Sequence, residues 1–191
     1  MALKEVVVIV SGLAASGKST VSKKIAETLG LERYSGGEAL KVLAAKLGFN
    51  TSGNRWWESD EGMRFLSMRE GNEAYDRMVD EELLRLAKRG RVVIDSWVLP
   101  WLYEGGFKVW LKADKQTRAE RLSLRTGLPL QDALKILEER DKRNSELYKR
   151  LYGVSLGADL TPFHLVIDTS RLTTQEVFEI TYLGVKYHYD L

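Results

Sequence analysis

Residues 11–20 read SGLAASGKST and follow directly on the apolar run VVVIV at residues 6–10. Gly12 and Gly17 have no β-carbon and most residues between them are small, so the chain can curl until successive N–H groups point inward around an anion. The stretch also fits G-x-x-x-x-G-K-[ST], the pattern of a loop that binds phosphate groups. A flexible Gly/Ser turn that happens to carry a lysine is the alternative interpretation.

The residues on either side of the loop argue against that alternative. Residues 6–10 are β-branched and favour a strand, while Val21, Ile25 and Leu29 recur at helical spacing before Gly30. This is the order of strand, loop and helix that the motif requires. We therefore predict a phosphate-binding loop, with nucleotide contacts from Gly12, Leu13, Ala14, Ala15, Ser16, Gly17, Lys18, Ser19 and Thr20.

The composition limits the class of protein. The chain has 191 residues, 44% hydrophobic and 29% charged, as expected for one globular domain with a sizeable core. A formal net charge of +2 argues against nucleic acid or an anionic membrane as a partner, and the lack of cysteine excludes disulfides, thiolate catalysis and Cys-ligated zinc. No stretch resembles a membrane span, and the first apolar run leads into the loop as a strand would. We expect a cytoplasmic monomer.

Short apolar runs alternate with longer amphipathic stretches along the chain, which predicts an α/β fold with a parallel sheet. The predicted strands cover residues 5–10, 31–34, 91–95, 107–112 and 164–168. The predicted helices cover residues 39–47, 75–88, 115–125 and 129–152. The expected fold is a three-layer α/β/α P-loop NTPase sandwich with a five-stranded parallel sheet, in a single domain spanning residues 1–191.

Two regions exceed what a minimal sandwich needs. Residues 49–72 are polar and lack a clear period, and residues 118–150 are dense in arginine. An insertion after the second strand and a late arginine-rich segment suggest a phosphotransferase, in which the first holds an acceptor and the second closes over the phosphates. We assign acceptor binding to about residues 36–90 and a lid to about residues 121–150.

The expected chemistry is phosphoryl transfer, in which the protein positions the substrates and neutralises charge. Lys18 would reach the β- and γ-phosphates of a nucleotide, and the Ser19 hydroxyl would ligate Mg²⁺. Asp95 ends the apolar run RVVID, and ligands of open parallel sheets lie at the carboxyl ends of the strands, so Asp95 is a second candidate for the metal or for acceptor groups. A turn-forming aspartate is the alternative there.

Arginines at helical spacing provide candidate cations for the transferred phosphoryl group. Arg118, Arg121 and Arg125 share one side of a predicted helix, and Arg140 and Arg143 repeat the arrangement on the next. Arginine forms bidentate bonds with phosphate, although single exposed arginines are often only solvated and paired with glutamate. The predicted catalytic residues are Lys18, Arg121, Arg125 and Arg140.

Acids and tryptophans mark the expected acceptor side. Asp76 and Asp80 lie one turn apart, where they could accept hydrogen bonds from the amino group of a base or simply favour the helix dipole. Of Trp56 and Trp57, we expect one to be a buried anchor, while stacking on a base is the alternative function.

Four longer segments resemble the archaeal type of cytidylate kinase, a nucleoside-monophosphate kinase. They are YSGGEALK, NEAYDRMVDEELLRLAKRG, FKVWLKADKQTRAERL and LEERDKRNSELYKRLYGVSL, and together they span most of the chain. The resemblance implies ATP and Mg²⁺ as cofactors and a small nucleotide acceptor, CMP or dCMP. It also implies that Ser35 and Lys41 hold the monophosphate and that Asp76 and Arg77 lie near the acceptor. By the same resemblance, the residues that bracket the transferred phosphoryl group are Arg121, Arg125 and Arg140.

Three positions depart from the family pattern. Lys41 stands where arginine is usual, DSW at residues 95–97 replaces Asp/Glu-Gly-Arg, and Leu147 stands where arginine is common. Trp97 would then emerge beside the acceptor, where an indole can cover a base or sugar, or it would pack with Trp101. Alternative functions are a kinase for another nucleoside monophosphate or for a small acceptor such as shikimate, and a regulatory P-loop NTPase.

Overall fold

The apolar run before the loop forms the central strand of a parallel sheet. The computed structural model describes residues 6–53 and 55–191, and the sheet order is β2-β3-β1-β4-β5 with every neighbouring pair parallel. The five-stranded parallel sheet predicted from the sequence is confirmed, and each predicted strand overlaps an observed one, although residue 5 lies outside the described residues. The strands are β1 (Val7–Ser11), β2 (Glu32–Ser35), β3 (Val92–Asp95), β4 (Phe107–Lys112) and β5 (Leu165–Asp168).

Helices connect the strands and cover both faces of the sheet. A 3₁₀ turn at Trp56–Glu58 lies between the second and third of them. The helices are α1 (Lys18–Leu29), α2 (Gly36–Lys46), α3 (Asp60–Gly71), α4 (Ala74–Arg89), α5 (Leu99–Leu102), α6 (Lys115–Thr126), α7 (Leu130–Tyr152) and α8 (Thr174–Tyr189). Among the described residues, no helix combines the length and the apolar character needed to cross a bilayer.

The alternation of side chains along β1 produces the three layers. Val8 and Val10 point to one face, where they join a core with residues of α1 and α8. Val7 and Ile9 point to the other face, where the core includes residues of α2 and α4. Since successive strand residues face opposite sides, a continuous apolar run is what a strand covered on both faces needs. The α/β/α sandwich is therefore the observed architecture.

Two helix predictions need correction. The helix predicted at residues 39–47 begins at Gly36, because the Ser35 hydroxyl accepts the Glu38 N–H at 3.4 Å and caps it. The prediction that residues 49–72 are irregular was wrong for α3, whose first turn is capped by Ser59 accepting from Gly62 N at 3.2 Å. Residue 54 lies outside the described residues.

The last helix is tied to the middle of the sheet by one hydroxyl group. Tyr189 Oη accepts hydrogen bonds from Val7 N at 3.1 Å and Phe107 N at 3.2 Å, and it donates to Val7 O at 2.8 Å. These backbone groups belong to the start of β1 and β4. The bonds fix α8 against the two central strands.

Candidate active site

The loop after β1 has the backbone conformation that its glycines permit. Gly12 has a φ of +149° and Gly17 a φ of +102°, both in the region that favours glycine. A β-carbon on Gly12 would lie 2.2 Å from Leu111 O, so any side chain there would displace the loop from β4. Lys18 Nζ donates to Leu13 O at 2.9 Å, which folds the lysine back over the loop.

Ser19 and Asp95, the two candidate metal ligands, lie side by side. Ser19 Oγ donates to Asp95 Oδ2 at 2.6 Å, because β3 and β1 are neighbours and their carboxyl ends reach the same edge of the sheet. The Lys18 ammonium is buried close by. Burial lowers the pKa of Lys18, and the negative charge of Asp95 opposes that shift.

One ion pair and one threonine support the loop. Arg118 Nη1 donates to Asp141 Oδ2 at 2.6 Å and to Ala14 O at 3.1 Å. Arg121 donates to Thr169 Oγ1 at 2.9 Å and to Thr169 O at 2.5 Å. Arg118 and Arg121 of α6 thus hold Asp141 and Thr169, which both contact the loop. Arg121, predicted to bracket the phosphoryl group, holds Thr169 and also lines a cleft beside the loop.

Two clefts meet at the loop. Cleft 1 lies between the loop, α2, α3, α4 and α7, and cleft 2 lies between the loop, α6 and α8. Ala15 and Arg125 line both clefts. Cleft 1 also brings together seven other predicted site residues, namely Ala14, Lys18, Ser19, Ser35, Asp95, Trp97 and Arg140. Cleft 2 is lined by three further residues of the predicted loop, Ser16, Gly17 and Thr20, and by Arg121 and Thr169, which support the loop. Gly12 and Leu13 line neither cleft.

The part of cleft 1 formed by α2, α3 and α4 combines an apolar wall with a buried acid. The wall includes Leu40, Leu66 and Val79, and the acid is Asp80, which accepts from Tyr152 Oη at 3.1 Å. Burial, with a contribution from the nearby charge of Asp76, raises the pKa of Asp80 to about 7. A carboxyl group that changes charge near neutral pH therefore lines this cleft.

Three residues expected at the acceptor lie outside both clefts. Asp76 is 1% exposed and accepts a bidentate ion pair from Arg69, with Arg69 Nε 3.0 Å from Asp76 Oδ2. Lys41 Nζ donates to Gly53 O at 3.0 Å. Arg77 donates to Glu73 and to Leu151 O, each at 3.4 Å. Of the two acids of α4 singled out from the sequence, Asp80 and not Asp76 lines cleft 1.

The tryptophans divide between core and cleft. Trp56 is 2% exposed, which confirms one buried anchor, and Trp57 lines cleft 1 with the Arg140 guanidinium carbon 5.7 Å from its ring. Trp97 also lines cleft 1, with Lys18 Nζ 5.2 Å from its ring, and it packs against the cluster that includes Leu147 and Trp101. Trp97 therefore both lines the cleft and packs against Trp101 and its neighbours, the two environments that the sequence predicts as alternatives.

The model of the cytidylate kinase-like family matches residues 7–171. The chain belongs to this family. A cytidylate kinase of Pyrobaculum aerophilum is 35% identical over 178 residues, covering 92% of this chain and 90% of the relative. A cytidylate kinase of Pyrococcus horikoshii is 34% identical over 177 residues, covering 92% of this chain and 86% of the relative. The nucleoside-monophosphate kinase class expected from the sequence is confirmed.

Members of other kinase families share the fold of this cytidylate kinase-like chain. A shikimate kinase of Acinetobacter baumannii, solved with shikimate, superposes with a TM-score of 0.57 at 19% identity and covers 97% of this chain and 94% of its own. At that identity the likeness shows the P-loop kinase fold alone.

Proposed function

We propose that this enzyme transfers the γ-phosphoryl group of ATP to CMP or dCMP, with Mg²⁺ as the metal. The observation that carries the proposal is the meeting of two clefts at one phosphate loop, with Arg125 lining both. A kinase needs such a junction, since the transferred group must be in reach of donor and acceptor at once. The family relationship supports the choice of acceptor.

The loop and cleft 2 suit the donor nucleotide. Lys18 would contact its β- and γ-phosphates, and the apolar Leu172 and Val177 would lie against its base. Ser19 and Asp95 offer the hydroxyl and carboxylate oxygens that Mg²⁺ prefers, and a magnesium site of this kind completes its shell with phosphate oxygens and water. When bound, the ion would neutralise phosphate charge.

Arg125 and Arg140 would act on the transferred group. An oxygen of the acceptor phosphate forms a bond to the γ-phosphorus while the bond to the bridging oxygen of the β-phosphate breaks, and ADP leaves. The negative charge of the group in transit is spread over its outer oxygens, and fixed guanidinium groups stabilise it there. Both arginines line cleft 1, next to Lys18.

Cleft 1 suits a cytosine nucleotide. Leu40, Leu66 and Val79 would cover the base, and the Asp80 carboxylate would accept from the cytosine amino group, the donor of that base edge. Ser35 and Trp97 would lie along the sugar and phosphate. The assignment of acceptor binding to about residues 36–90 and of a lid to about residues 121–150 belongs to this proposal, and the cytoplasmic monomer stays a prediction.

The proposal is tested by measuring ADP release over a panel of CMP, dCMP, UMP, AMP, shikimate and no acceptor. We expect kcat/KM to be highest for CMP or dCMP. A clearly higher value for AMP or shikimate would contradict the cytidylate assignment. ADP release at the same rate without acceptor would instead support a regulatory NTPase.

The ionisation of Asp80 predicts a pH effect on the acceptor. Its pKa of about 7 makes it a carboxylate above neutral pH, able to accept from the amino group, and protonated below. Between pH 8 and pH 6 the ionised fraction falls about tenfold, so the KM for CMP should rise about tenfold while the KM for ATP changes little. Steady-state kinetics at the two pH values measures both constants.

Asp80→Asn provides the control, since an amide does not titrate in this range. Its KM for CMP should depend on pH only as far as the phosphate of CMP itself titrates. An equally steep pH dependence in wild type and Asp80→Asn would show that Asp80 does not contact the base.

A further inference from the structure

The 3₁₀ turn between α2 and α3 holds a carboxylate in a fixed position. Trp56 starts the turn and is buried, with its ring 5.6 Å from that of Phe65. Ser59 Oγ donates to Trp56 O at 2.6 Å, and a β-carbon on Gly62 would lie 2.1 Å from the same oxygen, so α3 packs tightly on the turn. Glu58, the last residue of the turn, is therefore anchored on both sides.

The Glu58 carboxylate joins the two arginines assigned to the transferred phosphoryl group. Glu58 Oε1 accepts from Arg140 Nη1 at 2.5 Å and from Arg125 Nη2 at 3.2 Å. The Glu58 side chain is 1% exposed, so its charge is shielded from water and its bonds with the arginines are strong ones. One oxygen atom thus connects α6 with α7.

Glu58 acts on the clefts only through these arginines. Arg125 and Arg140 line cleft 1, and Glu58 lines neither cleft 1 nor cleft 2. The carboxylate therefore contacts the guanidinium groups from outside the lining of both clefts. A phosphoryl group at the junction and Glu58 would therefore contact different donors of the same arginines.

Without Glu58, the positive charges of Arg125 and Arg140 would lose the carboxylate that both of them contact. Burial lowers the pKa of Arg140, the charge of Arg125 lowers it further, and Glu58 opposes both effects. Because Arg125 is half exposed, it could swing into water once its carboxylate partner is gone. Its long side chain would then lose the fixed orientation that catalysis by charge requires.

We propose that Glu58 is a positioning residue, which holds Arg125 and Arg140 at the junction of the two clefts before the substrates bind. The inference rests on the proposed phosphoryl transfer. The carboxylate also places negative charge near the site of a polyphosphate, so it orients the arginines at the expense of ATP affinity. Loss of Glu58 should therefore lower kcat without weakening ATP binding.

Glu58→Gln tests this, because it removes the charge and keeps the shape. We expect kcat to fall at least about tenfold, towards the 10² that a misplaced catalytic group can cost, while the Kd for ATP stays equal or becomes lower. Glu58→Asp keeps the charge on a side chain one methylene shorter, and it should lower kcat with an unchanged Kd. Steady-state kinetics gives kcat, and calorimetry without acceptor gives Kd.

Glu70→Gln is the matched control. Glu70 Oε1 lies 2.7 Å from Arg143 Nε, so it also joins the region after α2 to α7, but neither residue lines cleft 1 or cleft 2. This variant should keep its kcat and Kd, whatever its effect on the melting temperature. Unchanged kcat in Glu58→Gln, or loss of kcat and ATP affinity by the same factor, would overturn the proposal.

The kcat is measured with the acceptor that the wild-type enzyme phosphorylates fastest. A best acceptor other than CMP or dCMP would therefore contradict the proposed function and leave the comparison of the Glu58 variants intact.

Discussion

Lys18→Ala is expected to lower kcat by about 10²–10³-fold and to leave the fold intact. Lys18 is buried at the junction of loop and cleft 1, where its Nζ would contact the phosphates of the donor. Burial disfavours the charge of Lys18 and lowers its pKa, so we expect its removal not to destabilise the core. Steady-state kinetics and thermal melting measure the two effects.

Lys23→Ala is the control for this variant. Lys23 belongs to the same helix, but its side chain is 69% exposed and lies 3.9 Å from Glu27 in a surface pair. It should retain wild-type turnover. A folded Lys18→Ala protein with full activity would contradict the role of the loop in binding the transferred phosphate.

Asp76→Ala should cause a large loss of stability. It leaves Arg69, which is 2% exposed, without its carboxylate partner, and breaking a buried ion pair from one side costs about 3–5 kcal/mol. For a domain of this size, that corresponds to a fall in melting temperature of roughly 6–20 °C. Thermal unfolding followed by circular dichroism measures the change.

Two further variants separate this role from an acceptor contact. Glu73→Ala removes an exposed partner of Arg77 and Arg150 from the same region and should cost no more than about 1 kcal/mol. Replacing Arg69 and Asp76 together with methionine and leucine should restore much of the stability. If Asp76→Ala raised the KM for CMP at an unchanged melting temperature, Asp76 would contact the acceptor, as the family resemblance implies.

The parts of the site that follow local signals could be predicted from the sequence. Gly12 and Lys18 belong to one loop whose spacing, together with the strand and helix patterns on either side, predicts an anion site. Asp95 could be placed because a residue that ends a parallel strand must emerge at the edge where the loop also lies. The family could also be identified from the sequence, because the segments that resemble it are uninterrupted stretches of the chain.

The parts that depend on contacts between distant segments could not be predicted. Glu58 meets Arg125 across 67 positions and Arg140 across 82, and no short pattern marks it. Helical spacing put Asp76 and Asp80 on one side of α4, but which of them faces cleft 1 depends on Arg69. That arginine comes from α3, a helix that the polar sequence did not reveal.

The Tyr189 hydroxyl group links the assembly of the protein to the timing of its synthesis. Its partner Val7 lies 182 positions earlier in the chain, so β1 is made long before the group that completes its hydrogen bonding. At about 5–20 residues per second, the ribosome needs roughly 10–40 s to bridge that gap. Cleft 2 also needs Thr174 and Val177 of the same helix as part of its lining. A nascent chain therefore carries the complete loop sequence well before it has a complete cleft 2, which can form only after α8 has been synthesised.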